Sequence, residues 1–347
     1  MRMNTKARRR MAVFCAAIFL GVGAPAFSQT VPTLDELTRT MDSFAESMAL
    51  TLPFNASMGL NWSDAHIGKF FPSFPPSFGL GFLGGFTTMS LAPIDDLFGL
   101  FGTEIPDLPF RNLPIPGMMV EMRLGGVFLP FDLGFKLGFL PGGINNILGD
   151  NLELDYFVIG GDFRYALVEA GRIVPAVSLG VGFTHLRGGI GVGVEEIPIN
   201  FEVPSPVPGV PNVPGTLTIY DPHMGINWST SVLDFKVHVS RPLFIITPYV
   251  GLGLSHGWSR VSYHARTDHV GVNAGGYTLD DVSHIFADAG IDVTPTNFSS
   301  EIAINGWSVR AFGGLSFNFP FVRLDITGLW NMRDNNLGAT VGLRFQL

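Results

Sequence analysis

Two short motifs combine residue types that carry chemistry. Residues 251–257, GLGLSHG, include GLSHG, which fits the G-x-S-x-G nucleophile elbow of serine hydrolases, and residues 79–84, GLGFLG, fit the dinucleotide fingerprint G-x-G-x-x-G. The elbow needs a sharp strand-to-helix turn, and the fingerprint needs a helix that begins at its glycines. Both motifs instead lie inside strand-like alternating stretches, where Ser255 and His256 point to opposite faces. We therefore predict neither a catalytic serine nor a nucleotide site.

The remaining polar chemistry predicts no metal or cofactor site. None of the eight histidines belongs to an H-E-x-x-H motif, and we interpret His264, Asp268 and His269 in YHARTDHVG as a solvated loop. The single cysteine, Cys15, lies in the N-terminal apolar stretch, so the rest of the chain has no thiol. The net charge of −8 argues against nucleic acid as a partner. We expect a protein that is not an enzyme.

The first 28 residues have the layout of a secretory signal peptide. A basic segment, MRMNTKARRR, precedes the apolar MAVFCAAIFLGVGA and a run of small residues. We predict that residues 1–28 are cleaved on export. Only 14% of the residues are charged and the mean hydropathy is +0.33, yet no later apolar run reaches the length of about 18–20 residues that a membrane-spanning helix needs.

The segment that follows, residues 29–53, is predicted to contain one amphipathic helix over 33–51 that stops at Pro53. Two placements stay open for this helix: a plug inside a pore, or a position on the periplasmic rim. Its apolar face consists of Leu34, Leu37, Met41, Phe44 and Met48.

From residue 54 onward, hydrophobic residues recur at every second position. In FDLGFKLGF, residues 131–139, they alternate with Asp132, Gly134, Lys136 and Gly138. This period of two predicts strands with one apolar and one polar face, and about ten residues match the height of a membrane-spanning barrel strand. We therefore predict an all-β fold, an antiparallel transmembrane β-barrel preceded by one short helix. The alternating segments are 54–63, 77–90, 118–129, 131–141, 153–168, 172–187, 226–240, 243–264, 301–319, 321–333 and 336–347.

The connections alternate between short and long, which indicates tight periplasmic turns and large outer loops. The barrel is predicted over 54–347, with long outer loops at 188–225 and 265–300. Bacterial single-chain barrels have an even number of strands, so eleven segments leave one crossing unexplained. Either 91–117 holds a poor strand, or it passes through the lumen, or 54–63 is not part of the wall. We expect about twelve strands, with ten as the next choice and a range of ten to fourteen.

Both ends of the predicted barrel carry further signals. Three tryptophans on the apolar face near the long loops are predicted to form an aromatic girdle at the membrane interface: Trp258, Trp307 and Trp330. The C-terminal residues TVGLRFQL resemble the assembly signal of bacterial outer-membrane barrels: Thr340, Gly342 and Phe345 match, and Leu347 replaces the usual terminal aromatic residue. The resemblance implies a location in the outer membrane of a diderm bacterium, with the lipid bilayer and the outer-membrane assembly machinery as partners.

Charges inside the strands lie almost wholly on the polar face, and basic residues outnumber acidic ones there. The exceptions, Glu153, Asp155, Arg187, Arg260 and Glu301, lie at strand ends next to long loops. A slightly basic lumen favours a porin-like channel or diffusion transporter for small solutes. Two alternatives stay open: a closed surface barrel with an interaction or structural role through its outer loops, and an uptake channel for hydrophobic solutes. The predicted lumen-lining charges are Arg123, Lys136, Asp162, Arg164, Asp234, Lys236, Arg310, Arg323 and Asp325.

Overall fold

The structure is a computed structural model that contains one helix, α1 (Leu34–Ala56), and thirteen strands among the residues it describes. The described residues are 34–67, 77–90, 112–126, 129–139, 152–171, 173–193, 196–203, 213–220, 223–266, 269–278, 280–281, 283 and 298–346. The predicted signal peptide, residues 1–28, lies outside them. Within these residues, no helix is both long and apolar enough to span a membrane.

Ten strands close into one antiparallel barrel, in the order β1-β13-β12-β11-β9-β8-β5-β4-β3-β2. The barrel closes where β1 pairs with β13, from Gly79 opposite Gln346 to Thr87 opposite Gly338. Ten strands lie within the predicted range, and each corresponds to one predicted segment. The barrel strands are β1 (Phe78–Ser90), β2 (Asn112–Gly125), β3 (Phe131–Phe139), β4 (Leu152–Val168), β5 (Ala176–Gly193), β8 (His223–Ser240), β9 (Ile246–Arg266), β11 (Phe298–Asn318), β12 (Val322–Asn331) and β13 (Asn336–Gln346).

A second, three-stranded sheet is built from the two connections predicted as long loops. It contains β6 (Glu196–Val203), β7 (Val213–Tyr220) and β10 (His269–Asn273), in the order β10-β7-β6. This sheet lies beyond the strand ends that carry the long connections, which we call the long-loop end of the barrel. The opposite end, with the connections β2–β3, β4–β5, β8–β9 and β11–β12, is the short-turn end.

The predicted strand over 54–63 is wrong. Helix α1 continues through Pro53 to Ala56, and residues 57–67, which we call the plug segment, follow it without regular structure. Positive φ angles at Gly59 and Leu60, 83° and 57°, turn the chain away from the helix. Every residue from 54 to 63 is buried, so the alternation here does not separate an inner from an outer face.

Strand β1 therefore begins at the short-turn end, because Phe78 lies opposite Leu124 near the end of β2. A first wall strand at 54–63 would make 77–90 run from the long-loop end to the short-turn end, and the observed direction is the reverse. It also removes the need for an extra crossing in 91–117, because β1 and β2 are direct neighbours. Of the three alternatives for the odd strand count, the one that removes 54–63 from the wall is confirmed; residues 91–111 lie outside the described residues.

The barrel wall has an apolar outer face and a polar inner face at its short-turn half. In β3, Leu133, Phe135, Leu137 and Phe139 are exposed, whereas the residues between them are buried. A closed barrel that exposes large apolar side chains around its outside is built to face lipid. The three predicted girdle residues lie on this outer face near the long-loop end, and each is exposed by 44–50% of its surface: Trp258, Trp307 and Trp330.

Candidate functional site

The lumen is the place where the predicted site residues meet, and it is filled. Helix α1 contacts β9, β11, β8, β1 and β5, and the plug segment continues from it toward the short-turn end. Of the two placements left open for the helix, the lumen is therefore the one observed. Phe44 and Met48 of the predicted apolar face are buried there; the side chains of Leu34, Leu37 and Met41 lie outside the described part of the chain.

The long-loop half of the lumen is an apolar layer. Phe44, Met48 and Leu52 of α1 are buried in one cluster with apolar side chains that point inward from the wall. Tyr263 adds a polar contact, because its hydroxyl donates to Asp42 at 2.8 Å. The wall therefore has apolar residues on both faces at this height. The inward members are Leu83, Met119, Tyr156, Val158, Leu186, Ile226, Trp228, Val232, Val261 and Tyr263.

The short-turn half of the lumen is a polar layer of paired charges. Asp132 and Arg164 lie opposite each other on β3 and β4, and Arg164 Nε is 2.9 Å from the Asp132 carboxylate. Arg123 pairs with Asp132 at 2.5 Å and with Asp162 at 2.9 Å, and all four side chains are almost fully buried. Gly134 leaves the space for this group, since a Cβ there would meet both Asp162 and Arg123. Such charges compensate one another rather than face a water-filled pore.

Arg310 and Asp234 form a second ion pair, and Ser255 makes a hydrogen bond with each of them. Arg310 contacts both oxygens of Asp234, at 2.5 and 2.9 Å, and Ser255 Oγ donates to the same carboxylate at 2.7 Å. The Arg310 guanidinium also donates to Ser255 Oγ at 2.8 Å. The serine of the elbow-like motif is thus part of a buried ion-pair network, and the hydrogen bonds it makes are with an arginine and a carboxylate rather than with a histidine base.

The glycines of GLGLSHG make room for large inward side chains. A Cβ at Gly251 would overlap the ring of Phe312, and one at Gly253 would meet the Arg310 guanidinium at 2.7 Å. Gly257 lies against the ring of Pro53. Leu252 and Leu254 lie on the exposed face, as the alternation predicts. The motif is therefore one crossing of the wall, with its spacing set by packing in the lumen.

Wall charges hold the backbone of the plug segment and of the end of α1. Lys136 Nζ donates to the carbonyls of Ala56 and Met58, at 2.7 and 2.6 Å. Lys236 Nζ donates to the carbonyl of Leu60 at 3.0 Å and also lies 2.6 Å from Asp162. These bonds satisfy carbonyls that no strand or helix partner could reach inside a barrel.

Acidic residues of the neighbouring strands β2 and β3 bind the same segment. Glu121 accepts from the Leu60 amide and, at 2.6 Å, from the Trp62 indole. Asp132 accepts from the amide of Ile67 at 2.7 Å, so one carboxylate joins two wall arginines to the plug. The plug segment is therefore fixed by directional bonds along its whole length.

A third charged group joins the plug to β12 and β13. Asp64 lies 2.7 Å from Arg323 and 3.1 Å from Arg344, and Arg344 also lies 2.7 Å from Asp325. Burial alone would raise the pKa of Asp64, but Arg344 and Arg323 outweigh it and hold this pKa below its usual value. Asp64 was not among the predicted site residues, because WSDAHI follows a stretch interpreted as a wall strand.

All nine predicted lumen-lining charges lie in this polar layer, and all of them contact an opposite charge or a plug carbonyl. Their basic excess is partly offset by Asp64, which the plug supplies. A small pocket remains between α1 and the wall, lined in part by Ala49, Pro53, Gly257 and Ser308. Its volume of about 10 Å³ has room for about one water molecule and is far too small for a small-molecule ligand. Among the residues described, no group of three or more potential metal ligands occurs.

A closed ten-stranded antiparallel barrel with an apolar outer face has the architecture of a transmembrane β-barrel. No protein-family model matches the chain, and no curated protein matches it. Solved structures with a similar architecture include the outer membrane protease OmpT from Escherichia coli, at 10% identity and a TM-score of 0.38, covering 79% of this chain and 97% of that one.

Two further solved structures also match, at low sequence identity. The translocator domain of autotransporter NalP from Neisseria meningitidis has 9% identity and a TM-score of 0.35, and the match covers 90% of this chain and 99% of that one. The toluene transporter TbuX from Ralstonia pickettii has 10% identity and a TM-score of 0.24, with 78% and 89% covered. The likeness is one of fold alone.

Proposed function

We propose that this protein is a closed, non-enzymatic outer-membrane barrel that acts through the surface at its long-loop end, and that it is not an open diffusion pore. The observation that carries the proposal is the occupied lumen: α1 fills the apolar layer and the plug segment fills the polar layer.

The apolar side chains that α1 and the plug segment bury in the lumen support a closed state. Phe44, Met48, Leu52, Phe54 and Met58 are each at most 8% exposed, and burying such a side chain is worth roughly 1.5–3 kcal/mol. Together they contribute roughly 8–15 kcal/mol of apolar burial, which opposes the conformational entropy that the chain would regain on release. The inward apolar wall residues would add to this contribution, because an empty lumen would expose them to water.

The three-stranded sheet β10-β7-β6 is the surface that the proposal assigns to an interaction. It stands beyond the barrel strands β5, β8 and β9, to which it is joined in sequence. A folded sheet presents a fixed surface to a partner, as interaction sites on rigid elements do. With the long-loop end taken as the outer side, this sheet faces away from the cell.

The transport alternatives, for small polar solutes or for hydrophobic ones, both require α1 to leave the lumen. One observation favours a gated form: the plug segment is held largely by polar bonds, which exchange with water more readily than apolar contacts do. In that form the released lumen would expose basic residues at one end and apolar residues at the other.

Solute uptake into liposomes tests the proposal. Proteoliposomes with the purified full chain are placed in an isotonic solution of a small sugar or amino acid, and the rate of swelling is followed by turbidity. We expect swelling no faster than in protein-free liposomes. Swelling that falls with solute size would contradict a closed barrel and favour a channel.

A further inference from the structure

Two arginines break the rule that wall charges point into the lumen. Arg187 of β5 and Arg260 of β9 are exposed and lie on the outer face, at the long-loop end. The filled lumen does not use them, and neither forms an ion pair with another described residue. A charge on a lipid-facing wall is costly unless something polar meets it there.

Strand register places these arginines in one row. Arg187 lies opposite Ser229 of β8, and Ser229 lies opposite Arg260, so three adjacent strands present Arg, Ser and Arg at the same height. Neighbouring strands are about 4.8 Å apart, which separates the two arginine backbones by about 10 Å. Two long guanidinium side chains can converge over that distance, with the serine hydroxyl between them. We call Arg187, Ser229 and Arg260 the basic row.

Polar groups also occupy the next row of the outer face, two residues closer to the middle of the barrel. His185 lies opposite Ser231, with its Nδ1 3.0 Å from the serine hydroxyl, and Ser231 lies opposite Trp258. The Arg187 guanidinium lies over the ring of Phe157, 5.0 Å from its centroid, which supports it against the wall. The acidic residues on this face, Asp155 and Glu301, occupy the row farther toward the long-loop end.

Aromatic residues below the basic row fix its depth. Trp258 and Trp307 are both about half exposed, and His256 packs between them with ring centroids 4.6 and 4.7 Å away. Exposed tryptophans mark the boundary between hydrocarbon and headgroups. Arg260 is two residues beyond Trp258, a rise of about 6.6 Å along the strand. The basic row therefore lies at headgroup depth.

We propose that the basic row binds the phosphate of a lipid with a net negative charge in the leaflet at the long-loop end. Arginine meets phosphate oxygens with two parallel N–H donors, and the hydroxyl of Ser229 adds a third donor group between the two guanidinium groups. The acyl chains then lie along the apolar outer face beneath, against Trp258 and Leu254. A free phosphate ion is the lesser match, because the row is an open strip beside hydrocarbon and has no walls to exclude water.

Native mass spectrometry of the full chain in detergent tests the proposal. The probes are lipopolysaccharide, phosphatidylglycerol and, as a zwitterionic comparison, phosphatidylcholine. The double variant R187Q/R260Q is compared with R39Q/R333Q, which removes two other exposed arginines outside the row. We expect R187Q/R260Q to lose about tenfold or more in affinity for the first two lipids, and R39Q/R333Q to bind them as the wild type does.

Three results would overturn the assignment. One is equal lipid binding by R187Q/R260Q and wild type, measured after circular dichroism has shown that both are folded. The second is binding of phosphatidylcholine as tight as that of phosphatidylglycerol. The third is full displacement of the bound lipid by millimolar inorganic phosphate, which would identify a site for the free anion instead.

Discussion

Asp64 and Arg323 join the plug segment to the barrel wall, with the arginine Nη1 2.8 and 2.7 Å from the two carboxylate oxygens. The two residues are 259 positions apart in sequence. Arg344 lies 3.1 Å from the same carboxylate, so a single plug residue neutralises two wall arginines at the short-turn end. This contact makes the attachment of the plug testable by substitution.

Replacing Asp64 by Asn is expected to loosen the plug segment without unfolding the barrel. D64N leaves Arg323 and Arg344 without their shared carboxylate, which costs roughly 1–3 kcal/mol for groups this well buried. Hydrogen exchange should become faster in peptides from residues 57–67 and stay unchanged in β3 and β4. The exposed Asp281, whose carboxylate accepts hydrogen bonds from the nearby Thr278, provides the matched control D281N. Equal exchange in D64N and D281N would contradict the role given to Asp64.

The same carboxylate gives the plug a dependence on pH. Because the pKa of Asp64 in the docked plug is below its ordinary value of 3.8, the docked plug favours the ionised form. Its contribution is therefore present above about pH 3.8 and is lost as the pH falls through the lowered pKa. Exchange protection of 57–67 should be steady from pH 7 to pH 5 and decrease below pH 3.8 by more in the wild type than in D64N. Parallel pH profiles of the two proteins would argue against this linkage.

Gly257 tests the close approach of α1 to the wall. A Cβ at this position overlaps the ring of Pro53, so G257A should destabilise the protein by about 1–3 kcal/mol through overpacking. Gly84 is the matched control, because a Cβ there meets nothing within 4 Å and G84A should change stability by less than about 0.5 kcal/mol. The midpoint of thermal unfolding in detergent measures both. A similar midpoint for G257A and G84A would show that the helix does not press against β9.

The barrel wall could be predicted from sequence because membrane and lumen impose opposite demands on alternate residues. In β3 each of Leu133, Phe135 and Leu137 faces lipid, while Asp132 and Lys136 face inward, so the period is visible without any knowledge of partners. The predicted and observed bounds of β3 differ by two residues, 131–141 against Phe131–Phe139.

The plug segment could not be predicted in the same way, because it is enclosed on all sides. Phe54 and Met58 alternate with Asn55 and Ser57, yet all four are buried. The two polar side chains are satisfied by hydrogen bonds, which Asn55 donates to Thr87 and Ser57 donates to the Phe54 carbonyl. Period two therefore indicates a strand only where one face meets water or lipid. The end of the helix was predicted too early, at Pro53, because α1 tolerates a proline within its last turn and continues to Ala56.

The charge pairing in the lumen was only partly accessible. Arg164 and Asp132 both occupy polar positions of the alternation, which shows that they face inward. Their direct contact, however, depends on the register of β3 against β4. Register is fixed by packing across strands far apart in sequence, which a single chain does not display.

Locking the plug in place tests the closed barrel most directly. Asn55 Nδ2 and Thr87 Oγ1 are 2.7 Å apart, so N55C/T87C places two thiols within reach of a short bifunctional thiol reagent that would tie α1 to β1. Cys15, in the predicted signal peptide, is the only other cysteine in the sequence. Planar-bilayer conductance of this variant is recorded before and after cross-linking. The closed barrel predicts no channels in either state. Channels that are present before cross-linking and vanish after it would contradict the closed barrel, and would show that α1 leaves the lumen.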